Sequence, residues 1–135
     1  MRLKTLTYTS RARLDLRDED LEAIHQTARH LNALDGISGL LLFDGSRFLQ
    51  IVEGSEDAVD NLVERLRMDP RHSAFEVRDE RVVERRSFPD WSVELLRVSA
   101  GYGSASEEVA TILPAAVAAP VRDLVFRMTG QLAEA

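Results

Sequence analysis

Ile37-Ser38-Gly39-Leu40-Leu41-Leu42-Phe43-Asp44-Gly45-Ser46-Arg47-Phe48-Leu49-Gln50-Ile51-Val52-Glu53 is the stretch from which the fold is read. Ile37 to Phe43 is a nearly continuous apolar run of strand length. Asp44-Gly45 is a strong hairpin turn signal, with Ser46 able to lengthen the loop. Arg47 to Glu53 is then the return strand. Side chains alternate along a strand, so Phe48, Gln50 and Val52 share one face while Leu49 and Ile51 share the other. Both faces are largely apolar. A strand with two apolar faces is expected to be central in its sheet or covered on both sides.

Working outward, Leu3 to Ser10 reads as a strand rich in β-branched and aromatic residues, with Leu6, Tyr8 and Ser10 on one face. Asp18 is placed to cap a helix, with Glu19, Asp20 and Glu22 near its positive end. Its apolar stripe is Leu21, Ile24, Ala28 and Leu31, and Gly36 is a plausible stop. Ser55 caps a second helix whose stripe is Val59, Leu62, Val63 and Leu66, and Pro70 ends it. Phe75 to Arg86 suggests a strand near an edge, Phe88-Pro89-Asp90 a turn, and Trp91 to Ser99 a last strand. The order β-α-β-β-α-β-β predicts an α+β, ferredoxin-like sheet with two helices on one face, extended by one strand. In that topology the third strand lies between the first two and runs antiparallel to both. Tyr8 and Gln50 are therefore expected on neighbouring central strands.

The chain divides into residues 1–98 and a tail of 99–135. Gly101 to Ser104 reads as a linker. Glu107 to Leu113 is a short helix candidate. Pro120 suits the first turn of another helix, with a stripe of Val121, Leu124, Val125, Met128 and Leu132. That stripe needs a surface, either the bare face of the sheet or a partner.

Composition narrows the function. A length of 135 residues suits one domain, with 44% hydrophobic and 30% charged residues, ordinary for a globular chain. A net charge of −6 with no basic block argues against nucleic acid. No apolar run reaches a membrane span, and Met1-Arg2-Leu3-Lys4 turns polar too soon to be expected as a signal peptide. The absence of cysteine excludes thiolate metal sites and cysteine nucleophiles, and points to the cytoplasm. The three histidines, His25, His30 and His72, have no metal-ligand spacing, so no metal is expected. No glycine-rich phosphate loop or nucleophile–base pair is visible, so no enzyme is expected.

Gln50 is the oddest residue, an amide set among Phe48, Leu49, Ile51 and Val52. Burying it without partners costs about 1–3 kcal/mol. A polar neighbour on the next strand or a water would satisfy it; so would a ligand. Tyr8 reads either as core with its hydroxyl reaching water or as part of a site. Asn32 and Arg65 read either as solvated helix residues or as ligand contacts. Together the four fit a flat heteroaromatic ligand with amide-like edges, held between sheet and helices.

The residues also carry a resemblance. Leu6-Thr7-Tyr8-Thr9-Ser10-Arg11-Ala12, Asn32 leading into Gly36-Ile37-Ser38-Gly39-Leu40-Leu41-Leu42, and Gly45 with Phe48-Leu49-Gln50-Ile51-Val52-Glu53-Gly54 match in order and spacing. So do Asp69-Pro70-Arg71-His72 and Arg86-Ser87-Phe88-Pro89-Asp90-Trp91-Ser92. Over about residues 1–98 the chain resembles a BLUF (blue light using flavin) domain. The resemblance implies a photoreceptor with non-covalently bound FAD, FMN and riboflavin being alternatives. It implies Tyr8 and Gln50 as the photoactive pair, Asn32 and Arg65 as polar flavin contacts, and Ile24 and Leu66 as apolar ones. Ser10, Asp69 and His72 would form a supporting shell, and Trp91 and Val93 would transmit the signal. Two positions depart from the family: Leu31, commonly polar, and Val93, commonly methionine. The methionine transmits change to the last strand, so Val93 bears on output more than on flavin binding. Output is expected through contacts, in a homo-oligomer or with a separate effector protein. The alternative is a light-insensitive ferredoxin-like interaction or small-ligand module.

Overall fold

The computed structural model describes residues 2–13, 15, 17–34, 36–43, 46–70, 72–87, 93–97 and 117–134. Its elements run β1 (Leu3–Ala12), α1 (Asp18–Leu34), β2 (Ser38–Phe43), β3 (Arg47–Ser55), α2 (Glu56–Arg67), β4 (His72–Val83), β5 (Val93–Arg97) and α3 (Ala119–Glu134). The sheet order is β4-β1-β3-β2-β5. β3 is central, antiparallel to β1 and to β2, and β4 is an edge strand antiparallel to β1. β5 closes the other edge parallel to β2, with Gly39 opposite Val93 and Leu41 opposite Leu95.

The two apolar faces of β3 have separate occupants. On one face Leu40, Leu42, Leu49 and Ile51 pack with Val117, Val121 and Val125, and with Leu124 and Phe126 at the margin. The tail helix therefore covers the sheet, as one of the two expectations for its stripe required. Phe126 belongs to that contact and lies outside the expected stripe. Met128 and Leu132 lie on the backbone of α3, and their side chains are outside the described residues, as is the expected helix 107–113. On the opposite face α2 covers Leu6, Tyr8, Ile37 and Val52 with Val59, Leu62 and Val63. α1 covers Leu41 and Phe48 with Leu21. Each fully buried Leu, Ile or Val contributes about 1.5–3 kcal/mol.

Local chemistry sets the helix ends. The Ser55 hydroxyl accepts from the Ala58 amide at 3.2 Å and caps α2, worth about 1 kcal/mol. Asp18 is the first helical residue of α1 and not its cap. The Asp20 carboxylate instead reaches back to accept from the Arg17 amide at 2.9 Å, the acidic half of a capping box.

Polar clasps hold the covered sheet together. Lys4, the chain's one lysine, is 6% exposed. It donates to Asp60 of α2 at 2.7 Å and to Glu80 of β4 at 3.0 Å. After β4 the chain crosses to the far edge of the sheet, and Arg86 pins that crossing. Its guanidinium donates to the Gly36 carbonyl at 2.6 Å, and to Ser38 Oγ and the Glu53 carbonyl at 3.1 Å each. The Ser87 amide donates to the buried Glu53 carboxylate at 2.7 Å. Among the described residues no helix is long and apolar enough to cross a membrane.

Candidate functional site

The site forms where β1 and β3 meet under the two helices. Tyr8 and Gln50 stand directly opposite each other across that pair of strands. Their side chains point to the same face and form a buried hydrogen bond, the Tyr8 hydroxyl donating to Gln50 Oε1. The relative exposures are 3% and 4%, so neither side chain is spent on solvent. Burial pushes the Tyr8 phenol well above its ordinary range, and the negative charge of Asp69 pushes in the same direction. The phenol therefore stays protonated at neutral pH and keeps the proton it donates to the amide oxygen.

The position of Gln50 along β3 is informative. Phe48, two residues before it on the same face, belongs to the cluster under α1. Val52, two residues after it, belongs to the cluster under α2. Gln50 thus lies at the seam between the two helix footprints. A planar molecule entered between the helices would meet it edge-on. Tyr8 occupies Oε1, so the pair has the two N–H donors of the amide left to offer such an edge. That donor set fits a flavin carbonyl.

The other expected site residues are distributed around this seam. Ile24 of α1 is half-buried against the Leu21–Leu41–Phe48 cluster. Leu66 of α2 is half-buried against the Tyr8 cluster. They place one apolar side chain from each helix at the two clusters that flank Gln50 on β3. Arg65 is exposed near the C-terminal end of α2. Ser10 is buried on the Tyr8 side of β1, opposite Phe48. Asp69 is half-buried after α2, near enough to act on the Tyr8 phenol. Asn32 lies in the last turn of α1 and His72 starts β4, with both side chains outside the described residues. Trp91 also lies outside them, as does the side chain of Leu31, while Val93 is placed by the β2–β5 register alone.

The structure adds residues that periodicity missed. Phe75 of β4 stacks on Tyr8, with ring centroids 4.6 Å apart and planes inclined by 27°. The Arg67 guanidinium lies 4.8 Å over the Phe75 ring. A single phenylalanine at the start of an expected strand carries no signal of such a contact.

The chain is similar to proteins of known kind. A family model described as "Sensors of blue-light using FAD" matches residues 3–94. The chain is 35% identical over 127 residues to photoactivated adenylate cyclase subunit beta of Euglena gracilis, spanning 93% of this chain and 13% of that relative. It is 37% identical over 70 residues to the blue light- and temperature-regulated antirepressor BluF of Escherichia coli K12, spanning 52% of this chain and 17% of that protein. Among solved structures, the BLUF domain of BlrP1 superposes with a TM-score of 0.77 at 30% identity, covering 98% of this chain and 91% of that one. BlrB, a BLUF protein in its dark state, gives a TM-score of 0.73 at 30% identity, covering 97% and 98% respectively.

Proposed function

The chain belongs to the BLUF family, the flavin-binding sensors of blue light, and from that membership we propose that its output follows a rearrangement of the Tyr8–Gln50 hydrogen bond. The observation that carries this reading is the buried, directly opposed pair at the seam between α1 and α2. FAD is the flavin we assign, with Gln50, Asn32 and Arg65 as its polar contacts and Ile24 and Leu66 as its apolar ones. Ser10, Asp69 and His72 support them from behind.

A bound flavin supplies the absorption of blue light and an excited state that takes an electron. The chain's own residues do the rest. Tyr8 is the oxidisable group, and once it has given an electron its phenolic proton is strongly acidic. The hydrogen bond to Gln50 Oε1 is the path by which that proton leaves. When electron and proton return, Tyr8 is restored and the Gln50 amide is left turned or tautomerised. An amide can present a donor or an acceptor at nearly the same place, so the two arrangements differ little in energy. One exchanged hydrogen bond is worth about 1 kcal/mol, enough to bias a surface several-fold.

The purified chain is expected to bind FAD, to be yellow, and to show a small reversible red shift under blue light. Absorbance spectra before and after illumination test this. A protein that cannot be loaded with flavin, or that does not shift, would favour the light-insensitive binding module.

The route outward is proposed along β3 and β5. Gln50, Leu41 and Leu95 share one row of the sheet, and Val52, Gly39 and Val93 share the row two residues along. β3 also carries Glu53, whose carboxylate holds Ser87, four residues before Trp91. Valine is shorter and stiffer than methionine. Val93→Met is expected to change the dark-recovery rate or the light-dependent partner contact more than flavin affinity. Equal recovery and equal partner binding in both proteins would reject that role.

We read residues 1–98 as the sensor and 99–135 as the tail through which contacts are made. The photoactivated cyclases carry a catalytic function in their names, and this chain spans about 13% of the first of them. For this chain we propose a cytoplasmic sensor that acts by homo-oligomeric contact or on a separate effector, without catalysis of its own.

A further inference from the structure

β4 does not pair evenly with β1. Between Thr9↔Glu76 and Arg11↔Ser73, β1 has one residue, Ser10, while β4 has two, Ala74 and Phe75. Between Thr7↔Asp79 and Tyr8↔Val77, β4 has one residue more, Arg78. Tyr8 therefore stands between two bulges of the edge strand, devices that re-aim side chains. The first bulge is strained, because Ala74 has φ of 52°, a region L-residues seldom occupy. The second is tied down, because Arg78 donates to Thr9 Oγ1 at 2.8 Å. The product of the first bulge is a specific contact: the Phe75 ring lies 4.6 Å from the Tyr8 ring, with Arg67 over Phe75 at 4.8 Å. A strained backbone position next to the residue that stacks on Tyr8 fits a positioning role.

We propose that Phe75, turned inward by the Ala74 bulge and covered by Arg67, is a positioning residue for the photoactive pair, holding the Tyr8 ring in the orientation from which its hydroxyl reaches Gln50 Oε1. The phenol can swing about its χ angles only by sliding on its neighbour. Gln50 fixes the hydroxyl end and Phe75 fixes the face of the ring. This inference rests on the proposed role of Tyr8 as electron donor.

The test uses the full chain, with and without FAD. Phe75→Leu keeps an apolar side chain but removes the ring. Loss of an aromatic pair changes an equilibrium constant by about two- to tenfold. The ratio of the Tyr8–Gln50 arrangement to its alternatives is expected to fall by that factor. The flavin fluorescence lifetime should lengthen and the yield of the red-shifted state should drop accordingly, with flavin affinity within about twofold. Phe75→Tyr, which keeps the ring, is expected to restore both. In the flavin-free wild type, NMR signals of the Tyr8 ring protons should lie upfield, and Phe75→Leu should move them back. A wild type that red-shifts normally while Phe75→Leu leaves lifetime and yield unchanged overturns this inference alone. A wild type without any red shift overturns the functional reading as well. Tyr8 ring protons at ordinary positions in the flavin-free wild type overturn the stack itself.

Discussion

Tyr8→Phe and Gln50→Leu are each expected to bind flavin and to lose the light-induced red shift completely. The two side chains form one buried unit, the hydroxyl of one donating to the amide oxygen of the other. On the proposed mechanism, removing the hydroxyl removes the group that gives up the electron and the proton. Removing the amide removes the group that stores the change. The proposed flavin contacts come from both helices, so binding should survive either substitution. The stability pattern is equally specific. Each single variant leaves a buried polar atom without its partner, at a cost of about 1–3 kcal/mol. The double variant replaces both partners with apolar groups and is expected to be more stable than the sum of the two losses allows. Denaturant midpoints of the four proteins measure that coupling. A normal photocycle in either single variant would remove Tyr8 and Gln50 from the mechanism. Alkaline stability offers a check on the burial of the phenol. The folded phenol titrates above its ordinary value of 10.0, so the fold favours the protonated form. That contribution is full below pH 10 and is lost as pH rises through the folded value. Wild type should therefore lose stability more steeply above pH 10 than Tyr8→Phe does.

Much of this arrangement can be read from the chain, and the part that cannot is of one kind. The two apolar faces of Arg47–Glu53 place β3 at the centre, because only a covered central strand hides both. Asp44-Gly45 and Ser55 then set its direction and its exit into α2. From there the strand order follows, and Tyr8 and Gln50 fall on adjacent strands. Periodicity says which face a residue occupies and nothing about offset between strands. The bulges at Ala74–Phe75 and Arg78 are offsets of this sort, so the Phe75–Tyr8 stack is invisible until the register is known. Long-range polar pairs are hidden for a related reason. Nothing local to Lys4 or Arg86 names a partner, yet both are held by groups far along the chain. Glu53 reads as the polar end of a strand and is 1% exposed. The roles proposed for Asn32, Ile24, Arg65 and Leu66 rest on family resemblance, since a helix stripe alone does not distinguish a flavin contact from core.

Gly39→Ala is expected to be the most damaging single-methyl change in the sheet. Gly39 faces Val52 on β3 and Val93 on β5, so it stands inside the sheet with a strand on either side. A Cβ built there would lie 1.8 Å from the Ile51 carbonyl oxygen and 2.9 Å from its carbon. These are backbone atoms of the central strand, and no rotamer change moves them aside. β2 and β3 would have to separate, and the ladder that carries Gln50 would open. Overpacking a tight site costs about 1–3 kcal/mol, and displacement of backbone puts this one at the upper end or beyond. Gly54→Ala is the natural control. Its Cβ would meet Ile37 Cγ1 at 3.0 Å and the Gly36 carbonyl oxygen at 3.2 Å. The first neighbour is a side chain and the second needs to give by only a few tenths of an ångström, so about 1 kcal/mol is expected. Urea midpoints followed by backbone circular dichroism rank the two variants, and flavin retention reports on the site. Because Gln50 lies one same-face step along β3 from Val52, the opposite of Gly39, Gly39→Ala should shed flavin before it unfolds. Gly54→Ala should hold flavin through its whole folded range. A Gly39→Ala protein as stable as wild type and still red-shifting would mean that β2 and β3 do not approach this closely. The placement of the photoactive pair on that ladder would then have to be redrawn.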